Sequence, residues 1–199
     1  MPRGTYLHLE TGHTETFQCA PGPGGWRYVS TRSDGLRLDL AVDARWHPVR
    51  LELRSADWLV RGGLTGAELL WLRAPASGTP LDAPEAASEH AARATGFSGD
   101  SPAFLVAVAR SLHLSPGASA TVRLVALTGD ALAARTIDQR WTLTGLTTHE
   151  TDTKPLPVER YELTALDTGS LSEIHLAGDV VVAAPGLELT TLESPPTLT

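Results

Sequence analysis

Apolar and polar residues alternate along much of the chain, and this period of two constrains the fold more than any other feature. In the segments 36–42 and 49–53 an apolar residue stands at every second position. Successive side chains of a β-strand point to opposite faces, so each segment predicts a strand with one buried face. Asp34-Gly35 is a turn signal between such strands. The chain is therefore predicted to be mainly β.

The predicted strands fall into two groups. A first β half spans 5–74, a linker with helices spans 75–114, a second β half spans 118–193, and a frayed tail spans 194–199. A chain of 199 residues is long enough for one large domain. We therefore expect a single domain over 1–199.

Two helices are predicted in the linker. Asp82 and Glu85 match a capping box with Gly96 as the terminator, and Ser101-Pro102 begins a second helix that carries Phe104. The second helix is apolar on nearly all sides and needs burial, so it is expected to cover or plug the sheet. The resulting architecture is an open or incomplete, strongly curved antiparallel β-barrel. It is built from two similar β halves with one or two short helices between them.

Charge and hydropathy exclude several classes of protein. The chain has 23 acidic and 16 basic residues and a formal net charge of -7. Nucleic-acid binding depends on clustered cations, so no nucleic-acid partner is expected. No apolar run approaches the roughly 20 residues of a membrane helix, and no secretory signal is recognised. We expect a cytoplasmic protein that is not integral to a membrane, and the sequence indicates no oligomeric state.

No motif predicts catalysis, a metal or a cofactor. The seven histidines are scattered, and the single Cys19 can form no intrachain disulfide. Gly99-Asp100-Ser101 resembles the start of GDS-type esterases, but it lies mid-chain, where Ser101 is interpreted as a helix cap. The cluster of His149, Glu150 and Asp152 is most simply explained by solvation, with an acid/base site as the alternative. No catalytic residue, metal ligand or cofactor is therefore predicted.

The five tryptophans carry more information. Each has a large apolar body and one N–H donor, so core packing is the simplest explanation. The alternative is that several line the concave face of a curved sheet, where an apolar or sugar-bearing ligand could stack.

Three segments resemble bacterial glycolipid-binding proteins. Residues 35–53 contain Asp43, Trp46 and Arg50 at the matching positions. Residues 96–117 resemble the central helix of that family, and residues 179–187 resemble its valine-rich strand ending in Pro-Gly-Leu. The resemblance implies a LolA-like curved β-barrel and the binding of a hydrophobic or glycolipid-like ligand.

The sequence thus predicts a non-enzymatic protein that binds an apolar or amphipathic small molecule in the concave face of its sheet. An alternative is a structural or protein-partner module with a fully packed interior and no small-molecule ligand. The residues expected to contact the ligand are Trp46, Arg50, Trp58, Trp71, Phe104, Arg110 and Trp141.

Overall fold

The part of the chain that the structure describes contains one continuous curved sheet of fifteen strands. The computed structural model describes residues 1–76, 87–150 and 155–198. The strands are β1 (Arg3–His8), β2 (Thr14–Gly22), β3 (Gly25–Arg32), β4 (Arg37–Asp43), β5 (Pro48–Arg54), β6 (Trp58–Thr65), β7 (Glu68–Pro75), β8 (Ser88–Ala92), β9 (Gly96–Ser98), β10 (Ser119–Thr128), β11 (Ala133–His149), β12 (Leu156–Ala165), β13 (Leu171–Ala177), β14 (Val180–Ala184) and β15 (Leu187–Leu192).

The sheet consists of two arms joined by one pair of strands. The first arm runs from β1 to β8 and the second from β15 back to β9, and β1 pairs with β15 in antiparallel fashion. All neighbours are antiparallel except β9, which is parallel to β10. The two edge strands β8 and β9 do not pair with each other, so the sheet does not close. The expectation of a mainly β, incompletely closed, strongly curved sheet is confirmed.

The inward faces follow from the alternation in the sequence. Leu38, Leu40 and Val42 of β4 are buried, and their cross-strand partners Leu51 and Leu53 on β5 are buried as well. A single buried cluster joins both arms through such rows. Burial of these apolar faces, at roughly 25 cal/mol per Å², is the main force that holds the sheet in its curved form.

Among the described residues there is one helix, α1 (Pro102–Ser111), which lies in the chain between β9 and β10 of the second arm. It begins as the sequence predicts: Ser101 is the N-cap and accepts a hydrogen bond from the backbone of Ala103, and proline occupies the first turn. Phe104, Val106 and Val108 belong to the buried cluster. The helix therefore plugs the concave side of the sheet.

The helix predicted between Asp82 and Gly96 is wrong in its described part. Ser88–Ala92 is strand β8, and Gly96 begins strand β9, while Asp82 and Glu85 lie outside the described residues. Ala91 pairs with Leu70, and His90 stacks on Trp71 with ring centroids 5.3 Å apart. Hydrogen bonding to the exposed edge of β7 outweighs the helix propensity of the alanines.

No helix among the described residues has both the length and the apolar character that crossing a membrane requires.

Candidate functional site

The space between α1 and the sheet is filled by side chains. The gap bounded by Leu40, Trp46, Phe97 and Phe104 measures about 10 Å³. This volume is at the lower limit for a single water molecule. The concave face is thus a packed core around α1. Open space is found at the two ends of the curved sheet and in an open depression of about 500 Å³ beside β7 and β8, where Trp71 and His90 are among the lining residues.

At one end lies a larger depression, which we call the mouth cleft. It has a volume of about 300 Å³ and is formed by the β3–β4 turn, the β5–β6 turn 55–57, residues 100–101 before α1 and the β10–β11 turn 129–132. Its apolar lining consists mainly of Leu36, Leu53, Phe104, Leu127 and Leu132. Phe104, in the first turn of α1, lines the cleft but is only 2% exposed, so nearly all of its side chain packs into the core.

Arg32 is the cation of the mouth cleft and is held by two carboxylates. Its Nη2 lies 2.7 Å from Asp34 Oδ2, and its Nη1 lies 3.6 Å from Asp100 Oδ2. Hydrogen bonding from Arg32 lowers the pKa of Asp34, and the backbone N–H of Leu36 also donates to the same carboxylate. The Arg32 side chain is only 11% exposed, so this ion cluster is a fixed part of the wall.

Two further aspartates, Asp57 and Asp130, line the mouth cleft. No basic side chain within residues 1–76, 87–150 and 155–198 forms an ion pair with either of them. Four carboxylates therefore face one guanidinium, so acidic side chains outnumber basic ones in the lining.

Three buried polar residues, connected by hydrogen bonds, lie beneath the cleft. The Ser101 hydroxyl donates to Glu15 Oε1 at 2.6 Å, and Glu15 Oε2 lies 2.9 Å from His8 Nε2. Glu15 is 1% exposed and extends from the inward face of β2. Burial strongly raises the pKa of the neighbouring Tyr28, whose hydroxyl has no partner among the described residues.

The same geometry argues that Ser101 is a cap rather than a nucleophile. An attacking serine needs backbone donors nearby to stabilise the developing oxyanion. In this turn Pro102 has no N–H, the N–H of Ala103 donates to Ser101 Oγ, and the N–H of Phe104 donates to the Ser101 carbonyl oxygen. The first donors of α1 are therefore already engaged.

The opposite end of the sheet contains a second depression, the tryptophan cleft. Its volume is about 240 Å³, and Trp26, Trp46, Asp179 and Thr197 are among its lining residues. The Trp26 and Trp46 rings lie 5.3 Å apart at 43°. Trp46 has φ of 66°, a strained value that the preceding residues hold in place, since Asp43 accepts backbone hydrogen bonds from Arg45 and His47 at 2.8 Å each.

The predicted ligand residues are not brought into one site. Phe104 lines the mouth cleft, and Trp46 lines the tryptophan cleft. Three tryptophans pack elsewhere: Trp58 under Arg73, Trp71 against His90, and Trp141 edge-on to Tyr161 while 1% exposed.

The two predicted arginines are occupied by other partners. Arg50 is 59% exposed on the outer face of the sheet, where it pairs with Asp39 and Glu52. Arg110 donates to the Gly178 carbonyl oxygen at 2.6 Å and 3.1 Å and forms an ion pair with Glu159 at 2.6 Å. Arg50 therefore points away from the concave face, and Arg110 connects the C-terminal end of α1 to the β13–β14 turn.

Sequence reasoning missed the polar residues that shape both clefts. Glu15 alternates with the buried Phe17 and Cys19, so a carboxylate on an apolar face was a signal in the sequence. Arg32 and Asp179 gave no such signal, because their partners are distant in the chain or lie in turns. Among the proposed acid/base residues, His149 and Glu150 are exposed, and Asp152 lies outside the described residues.

No group of three or more histidine, cysteine or carboxylate side chains is arranged to hold a metal ion in the described part of the chain.

Comparison with known proteins gives one informative match. No family model matches the chain, and no curated protein matches it. A crystal structure of a DUF1089 family protein from Pseudomonas aeruginosa is similar with a TM-score of 0.50 and 19% identity, over 90% of this chain and 86% of that chain. At this identity the likeness concerns the fold alone, and the resemblance to glycolipid-binding and LolA-like proteins stays a prediction. The chain thus shares a large curved, mainly β fold with a DUF1089 family protein.

Proposed function

We propose that the protein binds a small amphipathic molecule, without catalysing a reaction on it, in the mouth cleft. The observation that carries this proposal is one cleft of about 300 Å³ that combines an apolar lining with fixed charged groups. Ligand sites typically combine a mostly apolar surface with a few placed polar groups, and begin at about this volume. Because the space around α1 is packed, we propose the site at the end of the sheet and not in the concave face that the sequence predicted.

The cleft limits the size of the ligand. Burial of about 100 Å² of apolar ligand surface against the cleft, in which Leu36 is the half-buried apolar residue, would contribute roughly 2.5 kcal/mol. That is a modest gain for a short alkyl or ring system. A complete long-chain lipid would leave most of its length outside, so the proposed ligand is shorter than a membrane glycolipid.

The charges of the cleft favour a neutral or cationic polar end. Arg32 is already neutralised by Asp34 and Asp100, while Asp57 and Asp130 remain to attract positive charge. An anionic group would be repelled by the carboxylates and would have to compete for Arg32. We therefore expect an alkyl ammonium to bind better than an alkyl glucoside, and the glucoside better than an alkyl sulfate.

Calorimetric titration with three octyl compounds tests this order, each kept below its micellar concentration. Octyltrimethylammonium, octyl glucoside and octyl sulfate share the same chain and differ in charge. Ala56 is exposed at the rim of the cleft, so Ala56→Arg should fill the entrance and weaken ammonium binding at least about tenfold. Ala67 is exposed in the β6–β7 turn, and Ala67→Arg is the matched control with unchanged affinity.

Binding that is equal in the wild type and in Ala56→Arg would place the site elsewhere and contradict the proposal. Absence of binding for all three compounds would favour the second candidate function, a structural or protein-partner module. The packed space around Phe104 supports that candidate, since a filled interior needs no ligand for stability.

A further inference from the structure

The segment after β15 crosses the end of the sheet and covers a buried carboxylate. The sequence predicted a frayed tail, but the backbone N–H of Thr197 donates to Asp179 Oδ1 at 2.7 Å. The Thr197 carbonyl lies directly over Gly178, which has φ of 54° and no room for a Cβ. Residues 194–198, which we call the strap, are therefore seated on the β13–β14 turn.

The two carboxylate oxygens of Asp179 accept hydrogen bonds from different parts of the protein, one from the core and the other from the strap. It is 3% exposed, and its Oδ2 accepts hydrogen bonds from Trp26 Nε1 at 3.2 Å and from the Cys19 thiol at 3.5 Å. Its Oδ1 is satisfied by the strap. If the strap leaves, this oxygen faces the tryptophan cleft and lacks its donor.

The turn that presents Asp179 does not need the strap to hold its position. Arg110 donates two hydrogen bonds to the Gly178 carbonyl oxygen from the side of α1. Trp26 and Cys19 fix the carboxylate from the strands. The acceptor is thus held in place by groups outside the strap.

The strap itself is held weakly. Pro195 and Pro196 have no N–H to donate. Within the described residues, the N–H of Thr197 makes the single backbone hydrogen bond found for 194–198. A segment with one such bond opens locally at much lower free energy than the strands beneath it.

We propose that Asp179 is a binding site for the main-chain N–H of an extended peptide segment, and that the strap is its releasable occupant. In the released state Asp179 Oδ1 and the rings of Trp26 and Trp46 form an open site. A peptide with the sequence of residues 193–199 binds there in place of the strap. The site lies at the opposite end of the sheet from the mouth cleft, so the proposal is independent of the proposed ligand.

The full-length chain allows a test with a matched pair of variants. Thr197→Pro removes the N–H that reaches Asp179, whereas Thr197→Ala keeps it. Cys19 is the single cysteine and is buried beside Asp179, so its reaction with a disulfide reagent tests whether loss of the strap opens the region around this carboxylate. Burial and the neighbouring Asp179 carboxylate raise the pKa of this thiol, which keeps its reaction slow in the native protein.

Under native conditions Thr197→Pro should react at least about tenfold faster than the wild type, and Thr197→Ala at nearly the wild-type rate. Excess synthetic peptide 193–199 should slow the reaction of Thr197→Pro. Equal rates in the two variants, no effect of the peptide, or a rate increase that only follows a loss of global stability in urea would each overturn the proposal.

Hydrogen exchange of the wild-type protein provides a second measurement that needs no variant. The Thr197 amide should exchange at least about 100-fold faster than the amides of Ile174 and Leu176 in the core of β13. Its exchange rate should also be insensitive to low concentrations of denaturant. Protection of Thr197 equal to that of β13 would mean that the strap does not open separately from the sheet.

Discussion

Glu15 is the residue whose environment departs most from that expected of its type. A carboxylate that is 1% exposed loses its hydration, and burial is tolerated only when hydrogen bonds replace the lost water. Ser101 and His8 supply those bonds, one to each oxygen. Because Ser101 also caps α1, Glu15 connects the start of the helix to the joined strands β1 and β2.

Replacing Glu15 tests this connection. Glu15→Ala leaves the buried Ser101 hydroxyl and His8 ring without a partner, so we expect the free energy of unfolding to fall by about 2–4 kcal/mol. Glu15→Gln retains the shape and one acceptor and should lose only about half as much. Urea denaturation followed by tryptophan fluorescence measures both. Equal losses for the two variants would show that both acceptor oxygens are needed and that the shape of the side chain contributes little.

The pair formed by Arg32 and Asp34 predicts a dependence of stability on pH. Arg32 lowers the pKa of Asp34 below its ordinary 3.8, so the ionised pair stabilises the folded state above that pH. This contribution is lost as the pH falls through the lower pKa of the folded state. Asp34→Asn should cost about 1 kcal/mol at neutral pH, and the difference from the wild type should shrink below pH 3.8.

Chemical denaturation between neutral pH and pH 3 checks this prediction. The side-chain carbonyl introduced by Asp34→Asn can still accept the hydrogen bond from Leu36, so the substitution isolates the pairing with Arg32. Asp100→Asn is the matched control, because Asp100 lies farther from Arg32, at 3.6 Å, and is half exposed. A difference between wild type and Asp34→Asn that does not change with pH would contradict an electrostatic origin.

At the scale of elements, successive residues of β5 point to opposite faces of the sheet, and these two faces differ sharply in burial. Leu51 is 1% exposed and pairs with Leu40, whereas Arg50 projects outward among charged neighbours. Leu51→Asp should destabilise the protein by more than about 2 kcal/mol, since it buries an unpaired charge. Arg50→Ala should change stability by less than about 1 kcal/mol, because exposed ion pairs contribute little. Thermal unfolding of both variants decides whether the faces are assigned correctly.

The strands and α1 could be predicted from the sequence because their signals are local. Alternation set the inward face of β4, and Ser101-Pro102 marked the beginning of the helix. The alanine-rich segment before β9 was misassigned because its conformation depends on the edge of β7, a partner that local propensity does not include. A weak local preference is overridden when a sheet edge offers backbone hydrogen bonds.

The clefts could not be predicted because their contacts are distant in the chain. Ser101 and Glu15 are separated by 86 positions, and Trp26 and Asp179 by 153. The direction of a tryptophan ring also depends on details such as the positive φ of Trp46. Composition therefore indicated that the tryptophans matter for packing, but it could not show which of them face open space.

At the scale of the whole molecule, the pairing of β1 with β15 joins the two arms into one sheet. Gly4 lies in this seam opposite Leu192, and the register shifts between Thr5 and Tyr6. A Cβ at position 4 would collide with the Thr191 carbonyl oxygen and crowd the Phe17 ring. The seam thus depends on a residue without a side chain, and a single methyl group there should weaken the pairing of the two arms.

Gly4→Ala tests whether the seam controls the stability of the whole sheet. Overpacking against a rigid backbone should cost about 1–3 kcal/mol in urea denaturation, and the amide of Tyr6 should lose protection from hydrogen exchange. Gly22→Ala is the control, because no atom lies within 4 Å of its added Cβ and the change should be close to neutral. If Gly4→Ala unfolds like the control while Tyr6 keeps its protection, β15 can shift to accept the methyl group. The arms would then be held together mainly by α1 and the core around Phe104 rather than by the β1–β15 pairing.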